Sequence, residues 1–145
     1  MRLSLHTDYA LRTLMYLALH AERQCSIAEI ARRHRISESH LMKVVNQLAR
    51  AGFVDARRGR GGGLRLARPA DMIRVGDVLR TTEDGFDLVE CEPCVLVSAC
   101  VLTGALKEAT RAFLAVLDAR TIAEMVGPGA RLRSLLAQAD EAPAA

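Results

Sequence analysis

The first helical pattern begins close to the N-terminus. Ala10, Leu14 and Leu17 recur at i, i+4 and i+7, the spacing that places side chains on one face of a helix. Polar and charged residues stand between them, so the pattern predicts an amphipathic helix over about 7–20 rather than a secretory signal. No apolar run in the sequence reaches the roughly 18 residues that span a bilayer. We therefore expect a cytoplasmic protein with no membrane partner.

Two shorter helices are predicted next, joined by a tight turn. Ser26 and Glu29 form an S-x-x-E capping box, which predicts a helix over about 27–34. Ser37 is an N-cap candidate for a third helix over about 38–51, which a glycine ends. A pair of short helices at this spacing is typical of a helix-turn-helix.

The pattern changes after the third helix. Residues 53–57 and 64–67 are short and extended by composition, and the glycine- and arginine-rich run 58–63 between them predicts a β-hairpin. A helix-turn-helix followed by such a hairpin is typical of the winged-helix arrangement. One more short helix over about 75–81 completes this unit, and we predict a winged helix-turn-helix DNA-binding domain over 1–80.

The second half of the chain predicts one long helix, over about 101–120. We assign 81–100 to a cysteine loop, 101–126 to a dimerisation helix with its following turn, and 127–145 to a C-terminal tail that is frayed over 141–145. The predicted fold class is thus mainly α with a small β-hairpin wing.

The long helix carries an apolar stripe that steps by four, three, four and three residues, as in a heptad repeat. Such a stripe often packs within its own chain, but a C-terminal helix in a small protein has little else to pack against. One recognition helix also covers few base pairs, so these proteins usually dimerise on palindromic sites. We predict a homodimer interface formed by Leu102, Leu106, Ala109, Phe113 and Val116.

Composition and charge support this division. Hydrophobic residues make up 50% of the chain and aromatic residues only 3%, with no Trp, which favours packed helices over a β-sandwich. Residues 1–80 hold 15 Lys and Arg against 7 Asp and Glu, whereas 81–145 hold 5 against 10. A basic first half suits a polyanion such as double-stranded DNA, and an acidic second half stays off it.

The third helix has the two faces that a recognition helix needs. Leu41, Val44 and Leu48 cluster on one side and can dock onto the first two helices. The polar side can enter a major groove, although an ordinary surface helix would show the same pattern. The predicted base-reading residues are Ser39, His40, Lys43, Asn46 and Gln47.

The hairpin combines arginine with glycine. Glycine lets a backbone approach a phosphate or the minor groove closely, and arginine supplies charge and a planar fork. A flexible basic loop is the alternative. Together with the helix pair and the charge asymmetry, the hairpin predicts DNA binding through Arg57, Arg58, Arg60 and Arg65.

Three cysteines are crowded into ten residues. Cys91, Cys94 and Cys100 have the spacing C-x2-C-x5-C, and Pro93 is expected to keep the first pair in a turn. Three neighbouring thiolates in a reducing compartment need a cation between them to offset their repulsion. The spacing therefore predicts a metal site with three protein thiolates.

The fourth ligand is missing from this stretch. A structural zinc site would show another Cys or His nearby, but position 103 is Thr and all four His precede residue 41. Cys25 is expected to be a small buried hydrophobe. An iron–sulfur cluster is the favoured occupant, while zinc, redox-active thiols and inert cysteines stay open.

Two enzyme-like or redox alternatives fit less well. A thiol–disulfide enzyme would use the Cys91–Cys94 pair but needs a thioredoxin-like βαβ context that this sequence lacks. A small electron-transfer protein would need neither the basic helix nor the wing. We therefore predict a DNA-binding protein and not an enzyme.

These motifs together are similar to a known family. The runs 5–12, 40–48 and 58–66 and the three cysteines resemble the Rrf2 family of bacterial regulators, over residues 1 to about 126. Within that family the chain is most similar to the nitric-oxide-sensing repressors. The resemblance implies a repressor that binds a palindromic promoter site and releases it when nitric oxide attacks the cluster.

The resemblance also implies a ligand set. The long helices of a dimer would cross, with each iron–sulfur cluster, 4Fe–4S rather than 2Fe–2S, at the subunit interface. Cys91, Cys94 and Cys100 match the ligating cysteines, and Asp8 matches an aspartate from the other subunit. Arg12, one helical turn further, would orient that carboxylate. From its position alone, Asp8 is a helix-start residue stabilised by the macrodipole.

The chain departs from the family pattern at two points. The first two cysteines are closer together than is usual, which puts the nuclearity and exposure of the cluster in question. Thr103 stands where members that report iron–sulfur status carry a histidine ligand. Members that report iron use the same three cysteines, so iron as the signal stays an alternative.

Overall fold

The computed structural model describes residues 2–92 and 94–138. The turn predicted at Pro93 and the frayed end predicted at 141–145 lie outside the described residues. The predicted class, mainly α with a small β-hairpin wing, is confirmed. The elements are α1 (Leu5–Leu19), α2 (Ile27–His34), α3 (Glu38–Arg50), β1 (Val54–Arg57), β2 (Gly63–Leu66), a 3-10 turn (Ala70–Met72), α4 (Val75–Thr82), α5 (Val101–Asp118), α6 (Ile122–Val126) and α7 (Ala130–Gln138).

Side-chain caps define the starts of the first three helices. The Ser4 side chain accepts a hydrogen bond from the Thr7 N–H at the start of α1. Ser26 and Glu29 form the complete capping box predicted for α2, and Ser37 caps α3. These caps satisfy backbone N–H groups that have no partner within their own helix, so the helix starts are fixed locally.

The core lies between α1, the helix-turn-helix pair and α4. Leu14 of α1, Ile30 of α2 and Leu41 of α3 are fully buried in one cluster. Val78 and Leu79 of α4 close the same cluster. We call the structure formed by α1 to α4 with the hairpin the winged-helix unit.

The hairpin is fastened to the helices at its base. β1 and β2 pair antiparallel, with Val54 opposite Leu66 and Arg57 opposite Gly63. Cys25 exchanges two backbone hydrogen bonds with Leu64, at 2.9 and 2.7 Å. Its side chain is buried, which confirms the prediction of a buried small hydrophobe. The wing is therefore anchored just ahead of α2.

The chain returns to the winged-helix unit after α5. Ile122 of α6 is fully buried in the core cluster. Residues 127–145 were predicted to form a tail without a helix, but α7 lies there and packs on α2. Arg33 of α2 donates to the Leu136 carbonyl at 2.9 Å, and Arg133 of α7 donates to the Leu19 carbonyl at 3.0 Å. Arg33 thus caps the end of α7, and Arg133 caps the end of α1.

The long helix α5 stands apart from this core. It runs for 18 residues and none of them is buried. Arg80 of α4 forms a two-pronged ion pair with Asp118 at its last turn, and Phe113 and Leu117 pack partly against the core. Among the described residues, no helix combines the length and apolar character that crossing a membrane requires.

Candidate nucleic-acid interface and cysteine segment

The recognition helix presents a polar edge to solvent. Ser39, Lys43 and Asn46 of α3 are exposed, while the Leu41 and Leu48 side chains are fully buried beneath them. The burial pattern follows from the 3.6-residue period of the helix, which separates the two sets of positions. Three of the five predicted base-reading side chains are therefore free to meet a groove.

The other two predicted base-reading residues make contacts inside the molecule. The Gln47 side-chain amide is half-buried and donates a hydrogen bond to the Thr81 carbonyl oxygen of α4. The His40 ring meets the Tyr9 ring of α1 edge-on, with centroids 4.9 Å apart. His40 is half-buried against α1 by this contact, and Gln47 must leave Thr81 before it can reach a base.

The wing holds its arginines in two groups. Arg57 and Arg65 both contact the Asp55 carboxylate, at 3.3 and 2.9 Å. Arg58 and Arg60 are exposed at the tip. The tip is tight because a Cβ atom added at Gly62 would lie 2.3 Å from the Arg57 carbonyl oxygen. The hairpin therefore presents positive charge on a backbone shape that requires glycine.

The three cysteines lie on residues 84–100, which we call the cysteine segment, and its described residues 84–92 and 94–100 are irregular. Cys94 is exposed, Cys91 and Cys100 are half-buried, and all three are free thiols. Cys91 Sγ lies 3.5 Å from the Thr103 hydroxyl. Hydrogen bonds from the Thr103 side chain and from the first N–H groups of α5 lower the pKa of Cys100. The thiolate, the form that ligates metals, is thereby favoured at Cys100.

The predicted ligands are not assembled within one protomer. Among residues 2–92 and 94–138, no three His, Cys, Asp or Glu side chains lie close enough together to hold a metal ion. Asp8 instead forms an ion pair with Arg12, whose guanidinium donates to one carboxylate oxygen at 2.9 Å and lies 2.7 Å from the other. The pairing of Asp8 with Arg12 agrees with the predicted orienting contact, and the ligand role of Asp8 stays a prediction.

The donor chemistry suits iron better than a hard cation. Three soft thiols on one short segment, with one of them biased toward the thiolate, match the ligands that iron–sulfur clusters and zinc prefer. None of the three is fully buried, and all three are free thiols. The residues present therefore fit a thiolate-bound metal group.

A groove of about 950 Å³ runs between the cysteine segment and α5. Phe86 and Cys91 line one wall, and Thr103, Leu106 and Thr110 line the other. Leu106, a predicted dimer residue, thus faces its own protomer. The stripe of α5 that is exposed consists of Leu102, Ala105, Ala109, Ala112 and Val116.

This exposed stripe differs from the predicted one at two positions. Phe113 packs against the core and Leu106 lines the groove, while Ala105 and Ala112 are exposed in their place. The difference arises because the intrachain face of α5 uses part of the apolar stripe. Sequence reasoning missed the two alanines because their small side chains give a weak apolar signal.

Comparison with known proteins gives a consistent result. The sequence profile of the Rrf2 family, described as an iron-dependent transcriptional regulator, matches residues 3–128. A Geobacillus kaustophilus protein named HTH-type transcriptional regulator NsrR is 48% identical over 143 residues, covering 94% of this chain and 97% of that protein. A Shouchella clausii protein of the same name is 42% identical, covering 94% of this chain and 95% of that protein.

Solved structures share the fold of this chain. IscR of T. potens superposes with a TM-score of 0.75 at 28% identity, covering 92% of this chain and 91% of that one. CymR, the global cysteine regulator of B. subtilis, superposes with a TM-score of 0.68 at 28% identity, covering 86% of this chain and 95% of that one.

Proposed function

The chain belongs to the Rrf2 family of DNA-binding transcriptional regulators, and from this premise we propose that it is a homodimeric repressor controlled by nitric oxide through a cysteine-bound iron–sulfur cluster. Members of this family are regulators rather than enzymes, so the prediction of a non-enzyme is confirmed. The observation that carries the proposal is the arrangement of three free thiols on a segment that starts where the last helix of the winged-helix unit ends.

The proposed DNA contacts come from α3 and the wing. Ser39, Lys43 and Asn46 would read base edges in the major groove, with His40 beside them against Tyr9. The wing arginines would bind phosphates or the minor groove. Since each phosphate contact releases counterions, about six to ten contacts would make the affinity fall roughly 10³–10⁵-fold between 50 and 200 mM salt.

The proposed dimer joins two copies of α5. Its exposed stripe is apolar and carries three alanines, which allow two helices to approach closely. A contiguous exposed apolar stripe on a small protein marks an interaction surface. A second copy of this chain would cover the stripe. The resulting dimer would also present two recognition helices to the two halves of a palindromic site.

The proposed cluster ligands are the three cysteines and an aspartate. Cys91, Cys94 and Cys100 would hold a 4Fe–4S cluster, and Asp8 of the partner subunit would supply the fourth ligand. A bound cluster supplies iron that nitric oxide can ligate. The carboxylate is a hard ligand on a soft group and therefore the most readily displaced of the four. Arg12 keeps that carboxylate oriented, and it remains the ion-pair partner of Asp8 after the carboxylate leaves the cluster.

The proposed coupling runs through α1. Asp8 lies in the first turn of α1, whose Tyr9 touches His40 of the recognition helix. An Asp8 tied to the other subunit would fix the spacing of the two recognition helices, and its release would relax that spacing. A coupling of about 1–3 kcal/mol is enough for a 5–150-fold change in DNA affinity.

The test begins with anaerobically purified protein. We expect a brown protein with iron and acid-labile sulfide, and an affinity for a selected duplex that falls about 5–150-fold in a titration with nitric oxide. A colourless protein with stoichiometric zinc would exclude the cluster. The sulfide-to-protein ratio separates 4Fe–4S from 2Fe–2S.

A second candidate is an iron-responsive regulator, which the family description as iron-dependent favours. Both candidates predict a cluster, but they differ in the signal. If an iron chelator abolishes DNA binding while nitric oxide leaves it intact, the second candidate replaces the first.

A further inference from the structure

The carboxyl end of α4 is bound directly to the recognition helix. The Gln47 amide of α3 donates its hydrogen bond to the Thr81 carbonyl oxygen, across 34 residues of sequence. Thr81 lies in the last turn of α4, where backbone carbonyls lack a partner within the helix. The contact therefore satisfies a helix-end carbonyl and fixes one point of α3 at the same time.

The next two residues bind the same end of α4 to α1. Thr82 Oγ1 and Thr7 Oγ1 lie 2.8 Å apart, and both side chains are buried. Glu83 accepts hydrogen bonds from the Ser4 N–H at 2.8 Å and from the Ser4 hydroxyl at 3.0 Å. A buried polar group is costly to leave without a hydrogen-bond partner. These contacts therefore hold the start of α1 and the end of α4 together.

This junction joins the two stretches of one protomer that carry proposed ligands, the cysteine segment for its own cluster and the start of α1 for the partner's cluster. The cysteine segment begins at the residue after Glu83, and Asp8 is the residue after Thr7. Both stretches are therefore connected to the end of α4, where Thr81 adjoins Thr82. From Thr81 the Gln47 hydrogen bond leads directly to the helix that would read DNA.

We propose that Gln47 is a positioning residue that couples the cysteine segment to the recognition helix, rather than a residue that reads a base. The proposal rests on the proposed function for the identity of the signal. The mechanical link, from the end of α4 to α3, rests only on contacts within one protomer.

The test uses two neighbouring substitutions on α3. Gln47→Met keeps the length of the side chain and removes the amide donor. Asn46→Ala, at an exposed position on the same helix, is the matched control for loss of a groove-facing group. Wild type and both variants are compared by hydrogen–deuterium exchange without metal, and by DNA binding with and without nitric oxide.

The exchange measurement tests the link itself. In the metal-free protein, Gln47→Met should speed exchange of the backbone amides over 79–86 severalfold, because the end of α4 loses its tether to α3. Asn46→Ala should leave that exchange unchanged. Equal exchange over 79–86 in wild type and Gln47→Met would overturn the inference, whether or not the protein binds a cluster.

The DNA measurement uses a duplex selected by the wild-type protein from a random-sequence library. We expect nitric oxide to weaken DNA binding of the wild type by about 5–150-fold. In Gln47→Met, nitric oxide should weaken DNA binding by only about 1–3-fold. Single-base variants of the duplex should keep their order of affinity with Gln47→Met and change it with Asn46→Ala.

Two outcomes separate the claims. If Gln47→Met loses discrimination at one base pair while the response to nitric oxide stays at the wild-type ratio, Gln47 reads a base and the inference is wrong. If nitric oxide does not change the DNA affinity of the wild type, the proposed signal is wrong. The hydrogen–deuterium exchange over 79–86 then decides the role of Gln47 by itself.

Discussion

α3 and α5 are both amphipathic helices, but they bury their apolar faces to different degrees within one protomer. Leu41 and Leu48 of α3 are fully buried, whereas Leu102 of α5 is 61% exposed. Val95 and Val101, beside the cysteines, are 93% and 85% exposed. The winged-helix unit thus completes its core from one chain, while the cysteine segment and α5 leave apolar surface that a second copy would cover.

The largest expected effect comes from a substitution in the cysteine segment. Cys94→Ser should abolish the visible absorbance and iron content of the anaerobically purified protein, because the remaining ligands no longer complete a thiolate site. Its circular dichroism should stay at the wild-type value, since Cys94 is exposed.

Cys25→Ala is the matched control for this loss. Cys25 is buried at the base of the wing, where burial raises the pKa of its thiol to about 11. The control should keep the colour and lose about 1–3 kcal/mol of stability from the vacated space. A colourless Cys25→Ala beside a brown Cys94→Ser would contradict the assignment of ligands.

The next effect tests whether a second copy covers α5. Ala109→Glu places a charge in the middle of the exposed stripe, and burying it unpaired would cost several kcal/mol. We expect sedimentation to show monomers at concentrations about 100-fold above the wild-type dissociation constant. Ala115→Glu makes the same change on another face of α5 and should leave the dimer intact. If the dimer persists in Ala109→Glu and is lost in Ala115→Glu, the interface lies on the face of α5 that carries Ala115 and not on the exposed stripe.

A smaller effect is expected in the wing. Gly62→Ala would force its new methyl group to within 2.3 Å of the Arg57 carbonyl oxygen, so the backbone of the tip must shift. DNA affinity should fall roughly tenfold, as a misplaced wing loses about one good contact. Fluorescence anisotropy with a labelled duplex measures the loss.

Gly104→Ala is the control for the wing variant, because its added methyl group meets open space on α5. Alanine in a helix is favoured over glycine by about 1 kcal/mol, so this variant should melt slightly higher with unchanged DNA binding. If Gly62→Ala binds DNA with the wild-type affinity, the wing tip is not part of the DNA interface.

The smallest effect concerns the pH dependence of the winged-helix unit. A hydrogen bond from Arg23, with further ones from Tyr16 and Ser26, lowers the pKa of Glu29 from 4.5 to about 2. A carboxyl whose pKa is lower in the folded state stabilises the fold above pH 4.5. That stabilisation is lost as the pH falls toward 2.

Glu29→Gln should therefore cost about 1–2 kcal/mol at pH 7, after allowance for solvent screening of Arg23, and almost nothing at pH 2. Thermal melting across this pH range measures the difference. Glu22→Gln, at an exposed position nearby, should follow the wild-type curve. A constant difference between Glu29→Gln and wild type at every pH would exclude the ionised carboxylate as its source.

Local signals explain what the sequence predicted well. The bounds of α2 follow from a capping box that involves only Ser26 and Glu29, and the predicted bounds match the structure. The burial of Leu41, Val44 and Leu48 follows from helical periodicity in the same way. Such features depend on neighbours within one or two turns, so a single sequence specifies them.

Features that depend on distant partners were not predictable. The helical position of Gln47 leaves its direction open, and its partner Thr81 is 34 residues away. α7 is held by Arg33 and Arg133, whose carbonyl partners lie more than a hundred residues away in sequence. The predicted meeting of Asp8 with the cysteines requires a second chain, so no pattern within one chain encodes its geometry.

The burial of Ile122 in the core has a consequence for biosynthesis. The core of the winged-helix unit closes only when α6 reaches it, although α4 ends at Thr82. At about 5–20 residues per second, a ribosome takes roughly 2–8 seconds to make the intervening stretch. During that interval the nascent chain exposes the apolar site that Ile122 later fills. Truncated translation products that end inside α5 would keep that site open and become substrates for chaperones and proteases.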